Sequence, residues 1–203
     1  MPLEIYILDL LGTFTFAFYG AYVGLRRKFD IFGIAVTAFL TAVGGGTLRD
    51  LLLNRLPNYF SDWHYWAAII VGSAAAIFLF SHFSKINRYA VIIDAVGLAT
   101  FAFIGASLAR DAGLGNFGIV VLATVSAVGG GLLRDIAIAE TPQIFFRDFY
   151  ASPAILLGLL FVIFKESLAN HLVIYSLLII AFLARVAALY YKIDLWAPRR
   201  KSE

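Results

Sequence analysis

Seven ionisable side chains stand inside otherwise apolar segments of this chain: Asp9, Arg49, Asp50, Asp94, Arg134, Asp135 and Arg185. An ionisable group at membrane depth is costly; it faces the protein interior, finds a partner there, and marks an ion or solute pathway, a gate or a docking ion pair. Helical rise places Asp9 and Arg49 at one depth, and Asp94, Arg134 and Arg185 at the mirror depth on the other side. The expected pairs are Asp9 with Arg49 and Asp94 with Arg134, directly or through one other group. Arg49 and Asp50 are chain neighbours that diverge by about 100° on a helix, so they are not expected to pair with each other. An arginine left bare in a cation path would raise its barrier, so the arginines are either neutralised by aspartate or act as gates.

Each Arg-Asp step follows a glycine triplet. "AVGGGTLRDLLL" runs from Ala42 to Leu53, and "AVGGGLLRDIAI" from Ala127 to Ile138. Each glycine costs a helix about 1 kcal/mol relative to alanine, so Gly44, Gly45, Gly46 and Gly129, Gly130, Gly131 are expected to interrupt or kink their helices. Such a break frees carbonyls and amides, and is tolerated only where it is buried in protein or lines a water-filled cavity. Breaks at corresponding places in two halves point to a permeation site, with Thr47 and Ser126 as polar residues beside them. The competing use is close packing of helices.

No enzyme chemistry fits. Paired carboxylates and a Ser-His-Asp arrangement are lacking, and the triplets lack the Lys-Ser/Thr ending of a phosphate loop. The chain has no cysteine, which excludes disulfides, thiolate catalysis and Cys-ligated metals. His64, His82 and His171 are far apart, in connecting segments, and read as solvated. No metal or other cofactor is expected.

Several elements must hold these residues in place. Of the 203 residues, 62% are hydrophobic and 14% charged, with a mean hydropathy of +0.87. A soluble domain has about 45–50% apolar residues. The excess predicts an all-α polytopic membrane protein. Seven runs are long enough to read as helices: Glu4–Leu25, Ile31–Leu53, Tyr65–Phe83, Tyr89–Ala109, Asn116–Ala139, Tyr150–Phe164 and Leu172–Tyr191. The sixth is the shortest. "MPLE" has no basic stretch, so the first run does not read as a cleavable signal. Arg26, Arg27, Lys28, Lys85, Arg88, Arg147, Lys192, Arg199, Arg200 and Lys201 fall on one side, and only Arg55, Arg110 and Lys165 on the other. The positive-inside rule then puts the N-terminus outside and the C-terminus in the cytoplasm. Trp63, Tyr65 and Trp66 would anchor the outer interface; Tyr190, Tyr191 and Trp196 the inner one. The net charge of +3 is small, and no basic run interleaves with aromatics as nucleic-acid binding requires.

The second half repeats the first at an offset of 85 residues, without a gap. "DLLGTFTFAFYGA" (Asp9–Ala21) matches "DAVGLATFAFIGA" (Asp94–Ala106), and Pro57, Phe60 and Tyr65 match Pro142, Phe145 and Tyr150. Each unit holds three spans. Three is odd, so the second unit enters the membrane from the opposite side, which defines an inverted repeat. The division is repeat one at 4–85, repeat two at 89–170, an extra helix at 172–191 and a short tail at 192–203, within one transmembrane domain. The last span carries Arg185 and no lysine, which excludes a retinal Schiff base.

Two GGGxxRD segments in a plan of three, three and one spans resemble the trimeric intracellular cation (TRIC) channels, in the prokaryotic branch with the doubled motif. The resemblance covers Glu4–Tyr191. It implies a homotrimer in the prokaryotic inner membrane, in which each protomer carries its own path for potassium and other monovalent cations, lined by the glycine-kinked second and fifth helices. The animal channels carry a Lys-Glu-Val motif that binds a phosphoinositide; here the matching stretch holds "TLRD", which leaves membrane lipid as surroundings without that signature. Inverted repeats and broken helices also suit a secondary transporter of a small solute such as a small amino acid. Flux separates the two readings.

Overall fold

The computed structural model describes residues 3–82, 86–145, 149–168, 170–191 and 193. Among them are seven α-helices: α1 (Leu3–Arg26), α2 (Ile31–Leu52), α3 (Trp63–His82), α4 (Ile86–Asp111), α5 (Asn116–Ala137), α6 (Ser152–Ile163) and α7 (His171–Tyr191). Six are long and apolar enough to cross a membrane. α6 has only 12 residues, about 18 Å at the helical rise, short of the roughly 30 Å hydrocarbon core. Pro153 in its first turn sets its start. Lys85, Arg147, Lys192, Trp196 and Arg199–Lys201 lie outside the described residues, as does the side chain of Arg88.

The glycine triplets do not interrupt their helices. α2 and α5 run unbroken through Gly44–Gly46 and Gly129–Gly131, against the expected break. An unpaired amide or carbonyl costs several kcal/mol in an apolar interior. Glycine's propensity deficit totals about 3 kcal/mol for three residues, and close packing offsets it. A Cβ on Gly45 would overlap the Ser126 carbonyl oxygen, and one on Gly130 the Thr41 carbonyl oxygen. One on Gly44 would stand 3.1 Å from the Gly130 Cα, and one on Gly129 3.1 Å from the Gly45 Cα. The triplets are therefore the crossing point of α2 and α5.

The inversion is written in these contacts. Gly12 packs on Phe101, and Gly97 on Phe16. As position rises on α1 it falls on α4, so these helices are antiparallel. Phe16 and Phe101, themselves repeat mates, stack with centroids 5.1 Å apart. The α1–α2 and α4–α5 contacts also copy each other. Gly20 seats against Thr37, Ala38 and Thr41, while Gly105 seats against Leu122, Ala123 and Ser126, each residue the earlier number plus 85. The left-handed helix ends match too: Asn54 (φ 52°) with Ala139 (φ 54°), and Lys28 (φ 58°) with Gly113 (φ 76°). The core therefore consists of α1, α2, α4 and α5, arranged about a two-fold axis through the Phe16–Phe101 and Gly45–Gly130 contacts. α3 leans on α1, α6 on α5, and α7 on α4 and α6.

Candidate functional site

Two buried polar clusters flank the mid-plane, one toward the face where α1 begins and one toward the opposite face. In the first, α1 supplies Asp9 (2% exposed), α2 supplies Arg49 and Asp50 (2% and 4%), and α3 supplies Tyr65 (4%). The Tyr65 hydroxyl donates to Asp9 Oδ2 at 2.7 Å and accepts from Asn58 Nδ2 at 3.1 Å. Arg49 grips Asp50 with a fork, Nε to Oδ1 at 2.9 Å and Nη2 to Oδ2 at 3.0 Å.

The second cluster repeats this plan with additions. The Tyr150 hydroxyl donates to Asp94 Oδ1 at 3.5 Å. Arg134 donates from Nε (2.9 Å) and Nη2 (2.7 Å) to a single oxygen, Oδ1 of Asp135. This leaves Asp135 Oδ2 to accept from the Gln143 amide at 3.0 Å. Tyr19 and Arg185 have no counterpart in the first cluster. The Arg134 guanidinium lies 5.2 Å from the Tyr19 ring centroid, and that of Arg185 4.6 Å from the Tyr150 centroid.

The structure therefore corrects the expected pairing. Arg49 pairs with Asp50, and Arg134 with Asp135. Adjacent helical positions do diverge at Cβ, but the arginine side chain is long enough to fold back onto its neighbour. The folded-back guanidinium lies beside Gly46 in one helix and Gly131 in the other. A Cβ on Gly46 would stand 3.6 Å from Arg49 Nη2, and one on Gly131 3.7 Å from Arg134 Nη2. Asp9 and Asp94 take tyrosine hydroxyls as hydrogen-bond donors instead. They still feel the arginine charges, Asp9 that of Arg49, and Asp94 those of Arg185 and Arg134.

Tyr65 was expected among the interfacial anchors, yet it is buried, while Trp63 and Trp66 are exposed. Its register with Tyr150 in the repeat was the available signal, since an anchor need not keep register with Asp9. Tyr19 carried no such signal, because its mate is Ile104. The histidines lie at helix ends rather than in loops: His64 beside Asp62 (2.6 Å) and His171 beside Glu4 (3.1 Å) at the face where α1 begins, and His82 at the far end of α3. No metal-ligating group of three or more residues occurs among the described residues.

A cavity of about 20 Å³ opens beside Asp9, lined also by Thr13, Thr47, Arg49, Asn58 and Tyr65, room for about one water. Ser126 Oγ, Asp94 Oδ2 and the Nη1 atoms of Arg49 and Arg134 are buried without a hydrogen-bond partner among the described residues. Each cluster therefore holds donor or acceptor capacity that its neighbours do not use.

This fold is that of the TRIC channels. A structure described under "Structural basis for conductance through TRIC cation channels" is 31% identical and covers 97% of each chain, with a TM-score of 0.85. The TRIC orthologue from Rhodobacter sphaeroides is 31% identical, covering 94% of this chain and 99% of its own, with a TM-score of 0.83. A prokaryotic TRIC channel crystallised in 0.5 M KCl is 28% identical, covering 96% and 100%, with a TM-score of 0.88. Among sequence relatives, a UPF0126 membrane protein of Deinococcus radiodurans is 38% identical over 72% of this chain and 70% of its own. The UPF0126 inner membrane protein YadS of Escherichia coli K12 is 31% identical over 94% of both chains. The family model described as "Glycine transporter" matches residues 6–81 and again 91–166, two copies whose starts and ends both differ by 85 (91 − 6 and 166 − 81). The chain belongs to that family, and it is a membrane protein, not an enzyme.

Proposed function

We propose that the protein is a homotrimeric channel of the cell inner membrane that passes monovalent cations, potassium among them. Each protomer carries a path through both polar clusters and the α2–α5 crossing. The single observation that carries this reading is the match to TRIC channels over nearly the whole chain, with TM-scores of 0.83–0.88. Asp9 and Asp94 place a carboxyl group in each half of the path, and Arg49 and Arg134 are neutralised by their own neighbours. The Gly45–Gly130 contact and the Phe16–Phe101 stack close the mid-plane, so conduction requires α2 and α5 to part. The Lys and Arg distribution supports an outside N-terminus and a cytoplasmic C-terminus. Thr47 and Ser126 flank the path.

The family's description favours a second reading, carriage of glycine itself. One preparation decides between them. Purified protein in a planar bilayer under a potassium gradient is expected to give unitary currents reversing toward the potassium potential. Saturable glycine counterflow in proteoliposomes, without such currents, would establish the carrier and end the channel reading.

A further inference from the structure

The inverted repeat supplies an internal control: whatever one cluster has and its mate lacks cannot be a requirement of the shared fold. The charged asymmetric parts of the polar clusters lie toward the face opposite the start of α1, whereas the first cluster adds only hydroxyls, Thr13, Thr47 and Tyr59, in place of Leu98, Leu132 and Ile144. Tyr19 stands where the first cluster has only Ile104, across the two-fold. Arg27, after α1, forms an ion pair with Glu140, after α5. Their repeat mates are Ala112 and Arg55, which cannot form one. Above all, α7 has no mate, and it delivers Arg185, 3% exposed, onto the face of Tyr150 beside Asp94. In the first cluster the corresponding tyrosine and aspartate adjoin a cavity.

We infer that Arg185 is the gate of the second half-path: its guanidinium, laid over Tyr150 next to Asp94, places a fixed positive charge where the matching half of the molecule has none. Asp9 faces one arginine that is already forked onto Asp50, so it remains able to attract a permeant cation. Asp94 faces that same kind of arginine and Arg185 in addition. A cation arriving there meets a neutralised carboxylate and an occupied tyrosine face. In an apolar surrounding such a charge raises the barrier far more than it would in water. Opening this half then means withdrawing Arg185 from Tyr150, and α7 packs on α4, which carries Asp94, and on α6, which begins two residues after Tyr150. The inference rests on the path running through both clusters.

The chain has no cysteine, so single reporters can be placed directly. Thr47 lines the first cavity, and Leu132 is its repeat mate. Thr47→Cys and Leu132→Cys, reconstituted in vesicles, are to be labelled with a positively charged methanethiosulfonate applied from each face. With Arg185→Gln, Leu132→Cys is expected to label about tenfold faster, the change that a barrier lowered by about 1.4 kcal/mol produces. Thr47→Cys should keep its rate, and Arg185→Lys should leave both unchanged. Potassium flux should rise with Arg185→Gln. An unchanged Leu132→Cys rate, an equal gain with Arg185→Lys, or an equal gain at Thr47→Cys overturns the gate. Should Arg185→Gln not fold, the double variant with Asp94→Asn removes both charges together and must show the gain; misfolding of both assigns Arg185 to structure alone and overturns the gate as well. A labelling gain with no potassium flux in any variant upholds the gate and overturns the channel reading.

Discussion

At the scale of the residue, Asp9 and Asp94 are each met by a tyrosine hydroxyl, and Arg49 and Arg134 each by the next residue in its own helix. Removing the hydroxyl leaves a buried carboxylate oxygen short of its donor, at a cost of about 1–3 kcal/mol. Tyr65→Phe is expected to lower the thermal midpoint in detergent, and Tyr150→Phe to lower it less, because its bond to Asp94 is longer, 3.5 against 2.7 Å. Equal losses would mean that the two tyrosines act through packing. The Arg49–Asp50 fork makes a sharper test. Breaking a buried pair by removing one partner costs about 3–5 kcal/mol, so Asp50→Asn should destabilise more than Asp50→Asn combined with Arg49→Gln. A double-mutant cycle on thermal stability measures this, and additive losses would show that the two side chains act independently. The clusters themselves were legible from charge inside apolar runs. Their internal wiring was not, because Cβ directions on an ideal helix say nothing of where an arginine's far end goes.

At the scale of the element, the three glycines of a triplet do different things. Gly45 touches backbone across the crossing, whereas a Cβ on Gly46 would meet only the tip of its own helix's Arg49, at 3.6 Å. Gly45→Ala should therefore push α2 from α5 and abolish assembly of the folded protein, while Gly46→Ala should fold, gaining helix propensity of about 1 kcal/mol. Size-exclusion profiles and thermal midpoints of the two variants check this, and a well-folded Gly45→Ala would remove the crossing from the account. Propensity arithmetic foresaw a break because it counts what a glycine costs a lone helix. It omits the cost of unpaired backbone in an apolar interior, and that cost keeps both helices whole. The start of α3 is tied to α1 as well. Asp62, outside the spans, accepts from the Tyr6 hydroxyl at 2.6 Å and from His64, and these bonds, Tyr6 foremost, hold its carboxyl below the ordinary range. A depressed folded value means that the unfolded chain binds protons more readily. The contribution is therefore complete above about pH 4, the ordinary aspartate value, and is withdrawn as pH falls through the lower folded value. Thermal midpoints of the native chain and Asp62→Asn should converge as the pH drops through that window; a constant gap between them would dismiss the tie.

At the scale of the whole molecule, the repeat was the most legible feature. An offset of 85 residues without a gap places the spans, inverts the second unit and anticipates matching helix ends such as Asn54 and Ala139. What it could not convey is where the halves differ. α6 is cut to 12 residues while its mate α3 has 20. The hydropathy of the sixth run is continuous, and Pro153 and the charge at Lys165 fix its ends. The orientation proposed from charge placement gives a test on the intact chain. A reporter fused after Glu203 should be cytoplasmic, and one inserted at Asp111–Gly113 should face outside. Both on one side would contradict the odd number of spans per unit.

The contacts on the two-fold have a historical consequence. A half-length ancestor that inserted both ways up and paired with its own copy would have set residue 16 against residue 16, and the centre of its glycine triplet against the same centre. After duplication and fusion those self-contacts become Phe16 on Phe101 and Gly45 beside Gly130. A change at an axial position alters one side of a contact whose other side is its own former twin, so divergence there has to proceed in matched steps. Away from the axis no such matching applies, and there the halves have drifted apart, with Tyr19 against Ile104 and Arg27 against Ala112. α7 has no repeat mate, and nothing in the first half constrains what it brings to the second cluster.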